Sequence, residues 1–397
     1  MNRLSLFSFT VACACLLGCD SEIERFSSNQ VFSLTLARSE SASMREAESD
    51  VADVMHALFG TPSEPAWPVE LLPANDLVDL ESLRRAAGSV SSEKDGTHLG
   101  LFREHCVVCH GISGDGQGPA SQFQLPYPRD FRAGVFKWKL TERSEKPRRE
   151  DLRNVLLRGL PGTGMPSFSL LPGEDIDALV DYVIYLAVRG EVERRLLMGS
   201  VSVLGYGVEP LPAEERLVYK GDRDDADIIV NTVQRVVQQW ESAQDAENFQ
   251  LNAPSKPEDL DTSDSVERGR KWFHSKTANC VGCHGAEGEG GIETLDYDDW
   301  TKEYTTKLGI SPEDQLALQP FRDLGAHKPR PILPRKLRGG ALRGGNDPER
   351  LFHLINHGIA GTPMPGVAIV EEGDGRGLTE DQIWDLVSFL RSLNTSE

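Results

Sequence analysis

A chain of 397 residues has room for two or three domains. Its 62 acidic and 42 basic residues leave a net charge of −20, which excludes the basic footprint of a nucleic-acid binder and suits an exported, water-facing protein. Seven cysteines in this length are too few for a disulfide scaffold.

In chain order, Arg3 and an apolar run from Leu4 to Leu17 read as a signal peptide. The run is shorter than the ~20 apolar residues a spanning helix needs. It contains Cys13 and Cys15 and ends in Leu16-Leu17-Gly18-Cys19, which resembles a bacterial lipobox. That resemblance implies cleavage after residue 18 and a lipid on Cys19. Asp20 resembles the residue that retains Gram-negative lipoproteins at the cytoplasmic membrane. Residues 19–95 are then a tether and a helical N-terminal region. Val51, Val54, Met55, Leu58 and Phe59 form one helical stripe, broken by Thr61-Pro62-Ser63-Glu64-Pro65. The expected role of this helix is to dock on the domain that follows.

Next comes Cys106-Val107-Val108-Cys109-His110, and far downstream Cys280-Val281-Gly282-Cys283-His284. Each is C-x-x-C-H, the attachment signature of a c-type haem. On a helical turn, positions i, i+3 and i+4 share one face. Both sulfurs can therefore reach the vinyl groups on one porphyrin edge, and the histidine falls under the iron. Zinc is the competing use of C-x-x-C, but a zinc ribbon places its two pairs ~15–20 residues apart. No cysteine in the body of the chain is left for a disulfide. Between the motifs, Ile229, Val233, Val236, Val237 and Trp240 predict an amphipathic linker helix. Asn252 to Pro257 break it, and Asp264 with Glu267 read as a capping pair opening the next unit. The linker and the N-terminal region carry much of the acidity.

The halves repeat beyond the motif. Leu152 to Pro166 reads LRNVLLRGLPGTGMP, and Leu351 to Pro365 reads LFHLINHGIAGTPMP. A helix follows each, with Ile176, Leu179, Val180, Tyr182, Val183 and Leu186 matching Ile383, Leu386, Val387, Phe389, Leu390 and Leu393. His353 and His357 stand at i, i+4, but Asn154 and Arg158 occupy their places in the first half, so they read as surface or haem-edge residues.

Each half resembles a class I cytochrome c domain. The resemblance implies a mainly α fold: two such domains, 96–190 and 264–397, joined by a helical linker at 191–263. It implies two covalent haems on Cys106, Cys109, Cys280 and Cys283, with His110 and His284 as proximal ligands and Met165 and Met364 as distal ligands. A helix crossing is expected from Gly96 or Gly100 with Phe102, and from Gly269 with Phe273, against Tyr182 and Phe389. The carbonyl of Pro119 is the expected acceptor for the second His110 nitrogen. The second half has no proline at that place, and its acceptor is open. Residues 293–327 are an expected insertion with short helices. Basic clusters lie between the two ligands in each half, with Arg132, Lys137 and Arg338 as candidates for haem propionates.

The function this implies is a membrane-tethered di-haem cytochrome at the periplasmic face of the cytoplasmic membrane. It would pass single electrons between partners such as an oxidase, a quinol-oxidising complex or a dehydrogenase, without nucleic acid. The alternative is a di-haem peroxidase-like enzyme or other haem oxidoreductase, which needs an exchangeable iron position.

Overall fold

A computed structural model describes residues 24–72, 76–219, 226–245, 254–292 and 296–394. The leader and the lipidation position Cys19 lie outside the described residues. Among those residues the chain is mainly α-helical, with one two-stranded hairpin, β1 (Ser91–Ser92) and β2 (His98–Leu99). The helices before the linker are α1 (Gln30–Glu40), α2 (Arg45–Phe59), α3 (Leu80–Ala86), α4 (Leu101–His105), α5 (Val107–His110), α6 (Arg149–Arg158) and α7 (Gly173–Ser202). Then come α8 (Ala226–Gln244), α9 (Ser263–Phe273), α10 (Val281–His284), α11 (Asp299–Leu308), α12 (Gln315–Asp323), α13 (Pro348–His357) and α14 (Glu380–Ser392). None is long and apolar enough to cross a membrane.

The first repeat is built around α7. The expected stripe, from Ile176 to Leu186, covers only part of it. Ile184, Tyr185, Ala187 and Val188 are also fully buried. A helix apolar on all sides must be enclosed, and α1, α2, α3, α4, α6 and α8 pack around this one. The α2 stripe is buried to the last residue, as is the α8 stripe Ile229, Val233, Val236, Val237 and Trp240. Charges on α7 are matched inside this shell: Glu191 takes Lys146 and the Trp240 indole N–H, and Asp181 takes Arg149. The helix runs unbroken across residue 190.

The haem-motif helix of this repeat is short. The hairpin separates α3 from α4, which has only five residues. Gly100 does not make the helix crossing. It sits in the left-handed region at φ 81°, where a Cβ would lie 2.6 Å from the backbone nitrogen of Val90, so it closes the hairpin onto α4. A Cβ on Gly96 would meet open space. The aromatic partners do meet: the Phe102 and Tyr182 rings are 4.9 Å apart.

The second repeat keeps the crossing in full. α9 lies against α14, and a Cβ on Gly269 would overlap the Asp385 carbonyl. Phe273 and Phe389 are 5.2 Å apart. The helix opens on Thr262 rather than on Asp264, because Thr262 has the extended backbone an N-cap needs and its hydroxyl accepts from Ser265 N. Asp264 is already within the first turn, and Glu267 pairs with Lys271.

The expected insertion forms α11 and α12. Tyr304, Leu318 and Phe321 make a small core of their own with Val31 of α1. Arg38 of α1 lies over the Phe321 ring, at 4.7 Å. The insertion belongs to the second repeat in sequence but docks on the first in space.

Candidate functional site

Both C-x-x-C-H segments form the same turn. His110 N donates to Cys106 O at 2.8 Å, and His284 N donates to Cys280 O at 2.9 Å. Gly111 and Gly285 end the turns at φ 71° and 77°, a conformation that suits glycine. A Cβ on either would overlap an acidic side chain, Asp115 or Glu289. The chain then folds back identically, with Gly116 N on His110 O and Gly290 N on His284 O, both at 2.9 Å. None of the four cysteines is paired in a disulfide.

The second nitrogen of each histidine is held by a carbonyl, but not by that of Pro119. His110 Nδ1 donates to Arg129 O at 3.1 Å, and His284 Nδ1 donates to Arg335 O at 3.0 Å. A carbonyl only accepts, so Nδ1 carries the proton and Nε2 keeps its lone pair for a metal. Burial pushes His110 down to about 4, against the opposing bond to Arg129, and it lowers His284 likewise. Both rings are therefore neutral at neutral pH, the form that ligates iron. The acceptors belong to a third repeated element, Pro128-Arg129 and Pro334-Arg335. Two residues on, Phe131 N bonds Gly114 O and Leu337 N bonds Gly288 O. The paired Pro-Arg dipeptides were the available signal. The insertion hid it, because it sets the second pair much farther from its histidine than the first.

The two methionine loops also share one backbone pattern. Thr163 Oγ1 donates to Leu160 O and accepts from Met165 N, at 2.7 and 3.1 Å. Thr362 Oγ1 does the same with Ile359 O and Met364 N, at 2.8 and 3.2 Å. Gly159 and Gly358 cap the preceding helices at φ 64° and 71°, where a Cβ would come within 2.6 Å of the chain just after the methionine. Met165 packs on the hydrophobic core that also holds Cys106 and Phe131. Met364 is half-buried, and Val367, three residues on, packs on the second core with Cys280.

The three cations expected at propionates already have carboxylate partners. Arg132 is buried under Gly190 with its guanidinium on Asp130. Lys137 bonds Asp299 at 3.0 Å, and Arg338 bonds Glu287 at 2.5 Å. Arg343 differs: its Nε is buried with no hydrogen-bond partner, and burial beside Arg335 lowers it to about 10. Among the described residues Arg335 itself donates to carbonyls, Ala341 O and Pro161 O. A pair of desolvated guanidiniums without a carboxylate is a place for an anion.

The insertion reaches the first proximal loop. Trp300 Nε1 donates to Asp115 O at 3.2 Å and His327 Nε2 to Gly116 O at 2.9 Å. The Arg129 guanidinium, whose backbone holds His110, pairs with Asp299 together with Lys137. No motif announced Asp299, Trp300 or His327 as site residues. Among the described residues no group of three or more His, Cys, Asp and Glu is placed to hold a bare metal ion. The C-x-x-C pairs therefore do not combine into a zinc site, while paired thiols, a neutral imidazole and unpaired cations suit a covalent haem.

Comparison with known proteins agrees. The family model described as cytochrome c matches residues 100–187 and again 266–394, more than half of the chain. No curated protein matches. Among solved structures, a chain of the Kuenenia stuttgartiensis reducing HAO-like protein complex is similar over 77% of this chain and 99% of its own, with 20% identity and a TM-score of 0.44. At that level neither fold detail nor function transfers. With two family matches, each spanning one C-x-x-C-H turn and one methionine loop, the chain belongs to the cytochrome c family.

Proposed function

We propose that this cytochrome c carries two haems, one per repeat, each closed by a histidine and a methionine, and that it relays single electrons. The observation that carries this reading is the recurrence, in both repeats, of a neutral histidine with a free Nε2 and a methionine loop of the same backbone pattern. Haem supplies the one-electron iron couple. The chain's contribution is to hold the ring through Cys106, Cys109, Cys280 and Cys283, and to orient His110 and His284 through Arg129 and Arg335. Met165 and Met364 are the proposed distal ligands; a neutral thioether favours the reduced iron and raises the potential. Arg335 and Arg343 are the proposed propionate partners in the second repeat, in place of Arg338. The two units are taken as class I domains at 96–190 and 264–397.

A lipid on Cys19 and a station at the periplasmic face of the cytoplasmic membrane belong to the same proposal, with an oxidase, a quinol-oxidising complex or a dehydrogenase as partner. Cys19→Ser should release the protein from membranes or leave an uncleaved precursor; unchanged processing and membrane association would refute the anchor.

Three measurements test the core of the reading. Acid–acetone extraction should leave two haems on the polypeptide. The reduced protein should not bind carbon monoxide. The oxidised protein should show a near-infrared sulfur-to-iron band at both sites. Carbon monoxide binding at one haem with turnover of peroxide would replace the carrier by a peroxidase-like enzyme.

A further inference from the structure

The two methionine loops share a backbone pattern but are not held alike. The first is closed from inside, with Leu160 N on Met165 O at 3.0 Å and the Met165 side chain on the main core. In the second, the equivalent bond, Ile359 N to Met364 O, lengthens to 3.3 Å. Its outer side is held by the other domain. Arg143 donates from Nη1 to Met364 O at 2.6 Å and from Nη2 to Thr362 O at 2.5 Å. A planar guanidinium spans two carbonyls at this spacing, whereas an ammonium is a single point charge. The surroundings belong to the same dock. His357 Nδ1 donates to Leu140 O and Arg350 Nη2 to Trp138 O, both at 3.0 Å. Gly361 abuts Val135. The reverse contact is slighter: Arg335 Nη2 reaches Pro161 O at 3.2 Å. Arg143 is exposed, and among the described residues its guanidinium bonds these two carbonyls.

We infer that Arg143 of the first repeat is a positioning residue for the distal ligand of the second, so that closure of the second iron depends on the two domains being packed together. The inference rests on the proposed role of Met364 and extends it: one haem site is completed by the other domain. Separation of the domains, by a partner or by mutation, would then open the second iron to an exogenous ligand and leave the first closed.

The test uses the full-length protein with both haems and carbon monoxide as the probe. Arg143→Ala should keep two haems and the wild-type helical signal, because the side chain fills no core. Its carbon monoxide uptake should rise from none toward one per chain, and the near-infrared sulfur-to-iron band should fall toward half. Arg143→Lys should fall between Arg143→Ala and wild type. Double variants assign the iron. Combined with Met364→Ala, Arg143→Ala should add no further uptake; combined with Met165→Ala, it should raise uptake toward two per chain. If Met364→Ala opens an iron while Arg143→Ala stays as closed as wild type, the inference is overturned and the ligand reading stands. Additive uptake of Arg143→Ala and Met364→Ala also overturns it. If Met364→Ala binds no more than wild type, the ligand reading and the inference fall together.

Discussion

The two cytochrome repeats solve the same local problem in different surroundings. The turn, the Pro-Arg acceptor and the methionine loop are nearly superposable in their hydrogen bonds. The scaffolds are not. In the second repeat α9 and α14 cross closely at Gly269, and α13 completes a core of modest size. In the first, the motif helix is cut to five residues, and α7 is instead wrapped by helices from the N-terminal region and the linker. What the local motif needs is a firm wall behind it. A close helix crossing supplies one, and an added shell supplies the other.

The largest effects should fall on those walls. Trp240→Ala removes a fully buried indole and leaves Glu191 short of a donor. It should cost about 3–5 kcal/mol. The loss should appear as earlier melting of the first repeat in calorimetry; below that transition the second haem keeps its spectrum, and at it the second iron should lose its distal closure as Arg143 leaves the Met364 loop. Equal shifts in both repeats would show that they unfold as one unit and would dissolve the comparison.

Gly269→Ala is the matching cut in the second repeat. The new Cβ meets a backbone carbonyl that cannot rotate away. We expect a loss of about 3 kcal/mol, read as earlier melting of the second repeat. Gly96→Ala, in open space apart from its positive φ, should cost about 1 kcal/mol.

The ligand loops come next. Met165→His should lower the potential of the first haem, by a fraction of the ~0.8 V over which axial ligands act. The second should move little, as redox titration of the two haems would record.

A smaller effect tests the docked insertion. Burial alone would raise the Asp299 carboxyl, but Arg129 and Lys137 outweigh it and hold it at about 2. A depressed folded value means that its stabilisation is present above about pH 4, the ordinary carboxylate value, and is lost as pH falls toward 2. Asp299→Asn should therefore cost roughly 1–3 kcal/mol near pH 7, and the gap to wild type should close on acidification. The perturbation should reach the first haem more than the second, because Arg129 also holds His110. Smallest of all, Arg338→Ala breaks an exposed pair with Glu287 and should cost under about 1 kcal/mol in a thermal melt.

Much of this protein could be read from its residues. Two C-x-x-C-H motifs, two Gly-x-x-Gly-Thr-x-Met-Pro loops and the apolar stripes of α2, α7 and α8 are local patterns. Each encodes a turn or a helix face by spacing alone, so they named the mainly helical class and the residues of the two turns. The sequence points to Asp264 where the cap is Thr262, because three polar side chains in a row can each cap and only the backbone angle selects one. The hairpin takes both candidate glycines, Gly96 and Gly100, away from the expected crossing, and Arg129 makes the bond expected of Pro119. What only the tertiary structure decided are the long-range partners: the shell around α7, the carboxylates that take Arg132, Lys137 and Arg338, and Arg143 on the Met364 loop. A hydrogen bond between residues more than two hundred positions apart leaves no periodicity in the chain. It exists because packing brings a donor and an acceptor to one place, and that is settled by the whole core rather than by any segment of it.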